Sequence, residues 1–202
     1  MRAPADPSDM PSRAEPSPAP LAAPSAAAGQ GSERPSVEQV WAWLSEVPDP
    51  EIPVISLTDL GIIRDVAWDE DALVVTVTPT YSGCPATTII NLDIETALRD
   101  RGLKNVRLKR QLSPPWTTDW LTEAGRDKLR AYGIAPPIDG TAADGRLAGR
   151  ISRLAGTSNL VIACPRCNST KTEKVSQFGS TPCKASYRCT DCLEPFDYFK
   201  CI

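Results

Sequence analysis

The chain is expected to be an α+β protein, a small αββαβ sandwich followed by a C-terminal zinc β-ribbon. Three observations lead there. Residues 36–112 alternate between helical and strand-like apolar periodicity in the order helix, strand, strand, helix, strand. Six of the seven cysteines crowd between Cys164 and Cys201, while Cys84 stands apart. Eight of the 20 prolines fall in residues 1–35, outside both regions.

Residues 1–35 are otherwise mostly Ala, Ser and Gly. Such a stretch cannot bury enough apolar area to offset its ordering entropy, so a disordered tail is expected. Its apolar run from Leu21 to Ala28 is broken by Pro24, unlike a secretory leader, and Asp6, Asp9 and Glu15 weigh against a transit peptide. Ser36-Val37-Glu38-Gln39 has the form of a capping box and should open a helix. Val37, Val40, Trp41 and Leu44 lie on one face of it, and Pro48 ends it. A loop, Asp49-Pro50-Glu51-Ile52-Pro53, and a turn from Leu57 to Gly61 follow. Ile62, Val66 and Trp68 suit an outer strand. Asp69-Glu70-Asp71 turns the chain into Ala72–Thr78, rich in β-branched residues. After Gly83-Cys84-Pro85 a second helix carries Ile90, Ile94, Ala97 and Leu98 on one face and closes at Gly102. Val106 and Leu108 mark the third strand. Residues 113–137 form a Trp/Pro motif with a helix from Asp119 to Tyr132, stopped by Gly133 and Pro136-Pro137. Residues 138–158, with Gly140, Gly145, Gly149 and Gly156, read as a linker, and residues 159–202 as the ribbon.

The absence of histidine excludes Ser-His-Asp and Cys-His catalysis and leaves thiolates or carboxylates as the metal ligands. A net charge of −3 and a pI near 5.1 argue against a strongly basic nucleic-acid binder. The ribbon's Arg166, Lys171, Lys174, Lys184, Arg188 and Lys200 are nearly balanced by Glu173, Asp191, Glu194 and Asp197. No apolar run approaches the ~20 residues of a membrane span, so a soluble protein is expected.

Cys164-Pro165-Arg166-Cys167 and Cys189-Thr190-Asp191-Cys192 are separated by 21 residues. Two residues between ligands allow a tight turn to aim both sulfurs at one ion, and two such knuckles complete a tetrahedral site. A structural zinc at Cys164, Cys167, Cys189 and Cys192 is the expectation, with iron as the competing metal. Asn168 follows the first pair where a left-handed residue is wanted, and Leu193 makes the second knuckle less regular. Cys183 and Cys201 stand as buried fillers, a redox pair or alternative ligands.

Cys84 follows a strand and precedes a helix. A helix N-terminus there would favour its thiolate. Asp49, Glu51 and Asp59 are candidate neighbours, so a transient iron or cluster contact competes with a small buried cysteine at a strand end.

Asp49-Pro50-Glu51-Ile52-Pro53, Asp59-Leu60-Gly61-Ile62 and Thr78-Pro79-Thr80-Tyr81-Ser82-Gly83-Cys84-Pro85 resemble the metal–sulfur cluster assembly factor family, the SufT-like proteins, over roughly residues 36–112. The Pro114–Trp120 motif, Gln177–Ala185 and Glu194–Ile202 resemble one branch of it, the PaaD family associated with bacterial 1,2-phenylacetyl-CoA epoxidase. That resemblance implies a cytoplasmic, non-catalytic accessory subunit in phenylacetate degradation. It implies the oxygenase and reductase subunits as partners, and maturation of an iron or iron–sulfur centre as the task. Without histidine the chain cannot build a Glu/His di-iron site, so the ring chemistry resides elsewhere. A stable structural subunit, and more remotely a nucleic-acid-binding ribbon, are the competing readings, and a homodimer is left open.

Overall fold

Both halves of the capping box at Ser36 form. The structure, a computed structural model, describes residues 34–138 and 161–200. Ser36 Oγ accepts from the Gln39 N–H at 3.2 Å, and Gln39 Oε1 accepts from the Ser36 N–H at 2.9 Å. Helix α1 (Val37–Leu44) buries Val40 and Leu44, with Val37 and Trp41 half-covered beside them.

Strand β1 (Ile63–Asp69) pairs antiparallel with β2 (Ala72–Val77), and β3 (Val106–Arg110) adds to β2 in parallel. The parallel step requires a crossover, and α2 (Thr87–Asp100) supplies it. Strand β2 is therefore central and almost wholly buried, which explains its near-continuous apolar run. Helix α1 packs on β1 and α2, and α2 packs on β3. Ile90, Ile94 and Leu98 are the buried stripe of α2. The αββαβ order is as expected.

One boundary differs. Pro85 is not in the first turn of α2, which starts at Thr87. Cys84, Pro85 and Ala86 instead occupy a separate turn. The Thr87 N–H and hydroxyl both donate to the Cys84 carbonyl, at 3.3 and 2.8 Å, and tie that turn to the helix.

The helix expected over Asp119–Tyr132 is also divided. A 3-10 turn covers Thr118–Trp120, and α3 runs Glu123–Tyr132. Thr122 takes the extended conformation of an N-cap, and its Oγ1 accepts from the Gly125 N–H at 3.0 Å, so it starts a new helix. Gly133, at φ +93°, ends it. The next two residues, β4 (Ile134–Ala135), pair in parallel with the ribbon. The ribbon strands are β5 (Thr172–Ser176), β6 (Lys184–Cys189) and β7 (Pro195–Phe199), in the sheet order β4-β7-β6-β5. The extension after residue 112 is thus an edge of the ribbon sheet.

Two apolar clusters result. The smaller lies in the ribbon, around Ile162, Ala185, Tyr187, Phe196 and Tyr198. The larger belongs to the sandwich, but it also takes in Trp116, Leu121 and Leu129 from the extension and Cys183 and Phe199 from the ribbon. Trp116 meets Phe199 edge-on, with ring centroids 6.1 Å apart. The expected tail, most of the linker, and Cys201 lie outside the described residues. Among the described residues no helix is long and apolar enough to cross a membrane.

Candidate functional site

Four ribbon cysteines converge. Their sulfurs, on Cys164, Cys167, Cys189 and Cys192, all lie within 4.8 Å of one another. Cys164 and Cys192 are 3.7 Å apart, and Cys167 and Cys189 are 3.6 Å apart. A tetrahedral ion with metal–sulfur bonds of about 2.3 Å spaces its thiolates by about 3.8 Å, so the quartet fits a four-coordinate thiophilic metal. Both knuckles turn through a left-handed residue, Asn168 at φ 60° and Leu193 at φ 64°. The second knuckle is therefore as regular as the first, despite its leucine. The Asn168 N–H donates to the Cys164 carbonyl at 2.9 Å, and the Cys189 N–H to the Glu194 carbonyl at 3.0 Å. Asp191 bridges the knuckles, accepting from Ser169 Oγ at 2.6 Å and pairing with Lys171 at 3.2 Å. A metal ion held by all four sulfurs would have its tetrahedral positions filled, with none left open to a substrate.

Cys183 is not part of this quartet. It is buried in the sandwich core, at the end of the Gln177–Cys183 loop. Its thiol donates to Glu51 Oε2 at 3.4 Å, across 132 residues of sequence, and lies 3.0 Å from Thr181 Oγ1. Burial, with the Glu51 carboxylate beside it, pushes this thiol up to about 12. Asp49, also buried, accepts from the Glu51 and Ile52 N–H groups at 2.9 and 2.8 Å, which holds the loop in shape. Burial nonetheless raises its carboxyl above the ordinary range.

Cys84 is half-buried against the same core. The expectation that a helix N-terminus favours its thiolate is overturned. Burial raises the thiol, and the Glu51 and Asp49 carboxylates raise it further, while the Ala86 N–H and Thr87 hydroxyl pull only part of the way back. The physical reason is burial first, then the charges of Glu51 and Asp49, with α2 beginning three residues beyond the cysteine. Tyr81 feels the same surroundings. Burial raises its phenol, and so do Cys84, Glu51 and Cys183.

Asp59, expected near Cys84, faces elsewhere. It pairs with Lys128 of α3 at 2.5 Å and accepts from Thr122 Oγ1 at 3.0 Å. Burial alone would raise its carboxyl, but Lys128, Ser56 and Thr122 outweigh that and hold it below the ordinary range.

Comparison with known proteins gives the same two regions. Residues 37–107 match the family model described as iron-sulfur cluster assembly protein, and residues 150–200 match that of the PaaD zinc beta ribbon domain. A protein of Escherichia coli (strain K12), named as the D subunit of 1,2-phenylacetyl-CoA epoxidase, is 48% identical over 168 residues, covering 83% of this chain and 94% of that one. The chain belongs to the PaaD family. An Fe-S protein maturation auxiliary factor of Bacillus subtilis (strain 168) is 38% identical over 97 residues, 47% of this chain and 86% of its own. A crystal structure of a domain of unknown function from Bacillus anthracis is 27% identical, covering 46% of this chain and 89% of that one, with a TM-score of 0.43.

In this member of the PaaD family the Trp/Pro motif locks the Asp59-Leu60-Gly61 turn. Trp116 Nε1–H donates to the Leu60 carbonyl at 2.8 Å. Gly61 has φ +66°, and a Cβ on it would lie 2.5 Å from the Trp120 carbonyl oxygen. Arg64 stacks on the Trp120 ring, 3.5 Å from its centroid. The pairing of Cys183 with Glu51 was not foreseeable from local spacing. The only available signal was a cysteine lying outside both pairs.

Proposed function

We propose that this chain is a non-catalytic accessory factor of a phenylacetyl-CoA epoxidase system, which helps mature an iron or iron–sulfur centre of the oxygenase or reductase. The observation that carries this reading is the half-buried Cys84, set beside Asp49 and Glu51 in the region that matches cluster assembly proteins. Burial first, and the Glu51 and Asp49 carboxylates after it, keep this thiol protonated and a poor nucleophile; a bound cation would displace the proton, since the thiolate is the ligand form. Cys84 makes the transient contact with iron or cluster, and Asp49 and Glu51 supply the charge around it. Asp59 is a scaffold residue.

The ribbon quartet holds zinc. Thiolate-only tetrahedral sites suit it, and a closed shell serves folding by holding β5–β7 in register. Zinc supplies no reaction step here. The working boundaries are a tail at 1–35, an assembly-factor domain at 36–112, an extension at 113–137, a linker at 138–158 and a ribbon at 159–202. The reductase and oxygenase subunits are the partners, and the cytoplasm is the compartment, in keeping with six clustered thiols kept reduced.

One observation favours a second reading. The Escherichia coli relative is named as a subunit, which suits a lasting structural role in the oxygenase complex. The two readings part when the chain is removed after assembly. Epoxidase subunits are produced with the chain, then stripped of it by affinity separation. Maturation predicts that iron content and activity both persist. If activity falls with iron unchanged, and returns when the purified chain is added back, the structural reading replaces it.

A further inference from the structure

Strand β3 is an edge of the sandwich sheet, which runs in the order β1-β2-β3. Its pairing with β2 is parallel and unbroken from Leu73↔Val106 to Val77↔Arg110. The Leu73 N–H donates to the Asn105 carbonyl and the Gln111 N–H to the Val77 carbonyl, both at 2.9 Å. Bonding residues alternate along a parallel strand, so the backbone groups of Asn105, Arg107, Lys109 and Gln111 face β2. Val106, Leu108 and Arg110 turn their N–H and C=O groups the other way, and among the described residues no hydrogen bond reaches those groups. The opposite edge, β1, is interrupted by a register shift between Ile63 and Asp65, one of the devices that blunt a sheet edge. Strand β3 has no such shift and no proline.

The charge along this edge has one sign. Residues 101–118 include Arg101, Lys104, Arg107, Lys109 and Arg110 and no Asp or Glu, in a chain of net charge −3. Arg101 pairs with Glu46, and Arg107 with Asp69 at 2.7 Å. Arg110 donates to the neutral Ser82 carbonyl at 2.6 Å, and among the described residues no carboxylate pairs with Lys104, Lys109 or Arg110. We propose that β3 accepts a further strand, an extended acidic segment of a partner protein. The backbone of that segment satisfies Val106, Leu108 and Arg110, and its carboxylates lie opposite the exposed Arg107 and Lys109. Val106 and Leu108 are half-buried against the sandwich core, on the other face of the sheet, so the segment alternates acidic with apolar residues. A second copy of this chain does not suit the edge, because antiparallel pairing of β3 with itself about Leu108 sets Arg107 opposite Lys109. A nucleic acid could meet the positive charges, but it has no row of alternating donors and acceptors to match the strand's backbone. Arg110 ties the end of the edge to Ser82, in the loop that leads to Cys84, so the bound segment ends beside that loop. The inference does not depend on what Cys84 binds.

The test uses the full-length chain with zinc supplied, and a capped peptide of alternating glutamate and valine as the probe. Amide hydrogen exchange is read residue by residue by NMR. In the free chain the Val106, Leu108 and Arg110 amides are expected to exchange fast, beside slow Arg107 and Lys109. Saturating peptide is expected to slow those three by about tenfold or more, and Lys109→Glu to weaken peptide binding several-fold. The same peptide with lysine for glutamate is expected to leave them fast, as is single-stranded DNA. Slow exchange at the three amides in the free chain overturns the proposal, and a dimer seen by sedimentation in the same sample assigns the edge to a second copy. No slowing with saturating peptide, equal slowing by the lysine peptide, undiminished affinity in Lys109→Glu, or binding of DNA in place of the peptide overturns it as well.

Discussion

Asp59 illustrates how a motif residue can serve the scaffold. Its carboxylate collects Lys128, Thr122 and Ser56, and thereby joins the first loop to α3. Its folded carboxyl sits below the ordinary range. A depressed carboxyl stabilises the fold above its unfolded value, ~4, and that stabilisation is lost as pH falls through the folded value. Asp59→Asn is therefore expected to cost about 1 kcal/mol near neutral pH, a modest figure because Lys128 is half-exposed and the pair is partly screened. Urea unfolding at neutral pH and near pH 3 checks this, since the difference between the two proteins should shrink in acid. At this scale the convergence of Cys164, Cys167, Cys189 and Cys192 was legible because their spacing is local. The partner of Cys183 was not, because a contact spanning 132 residues has no local signature. The Cys84 thiol was misjudged for a related reason. A boundary shift of a few residues moved it out of the helix terminus, and the nearby carboxylates come from another loop.

The elements were legible wherever periodicity and caps agreed. Both sandwich helices and all three of its strands follow from apolar spacing, the Ser36 capping box and Gly102. The two-residue β4 was invisible, since it exists only because β7 offers an edge. The break before α3 was missed although Thr122 is a good cap, because the pattern continued through it. Gly61 carries the strongest prediction at this level. Its positive φ and the closeness of the Trp120 carbonyl together leave no room for a side chain. Gly61→Ala is expected to destabilise the fold by about 2–4 kcal/mol, from strained backbone plus overpacking. Thermal melting followed by tryptophan fluorescence reads this directly, because Trp116 and Trp120 both lie at that turn. An unchanged midpoint would mean that the turn is not locked as described.

In the whole molecule the ribbon shares a core with the sandwich through Phe199 and Cys183. Composition and spacing suggested two modules joined by a linker, and nothing in them indicated that the modules share side chains. That sharing sets the ribbon sheet against a loop bearing Asp49 and Glu51, with Cys84 at the margin of the common core. In the function proposed above, Cys84 delivers iron or cluster to a client. The most direct test is iron and acid-labile sulfide in the reductase and oxygenase components, purified from cells that make the full epoxidase set. Three strains are compared, carrying the unaltered chain, Cys84→Ser or no chain. Cys84→Ser is expected to match the strain without the chain, several-fold below the unaltered chain in at least one component. Equal iron and sulfide with Cys84→Ser and the unaltered chain would contradict it.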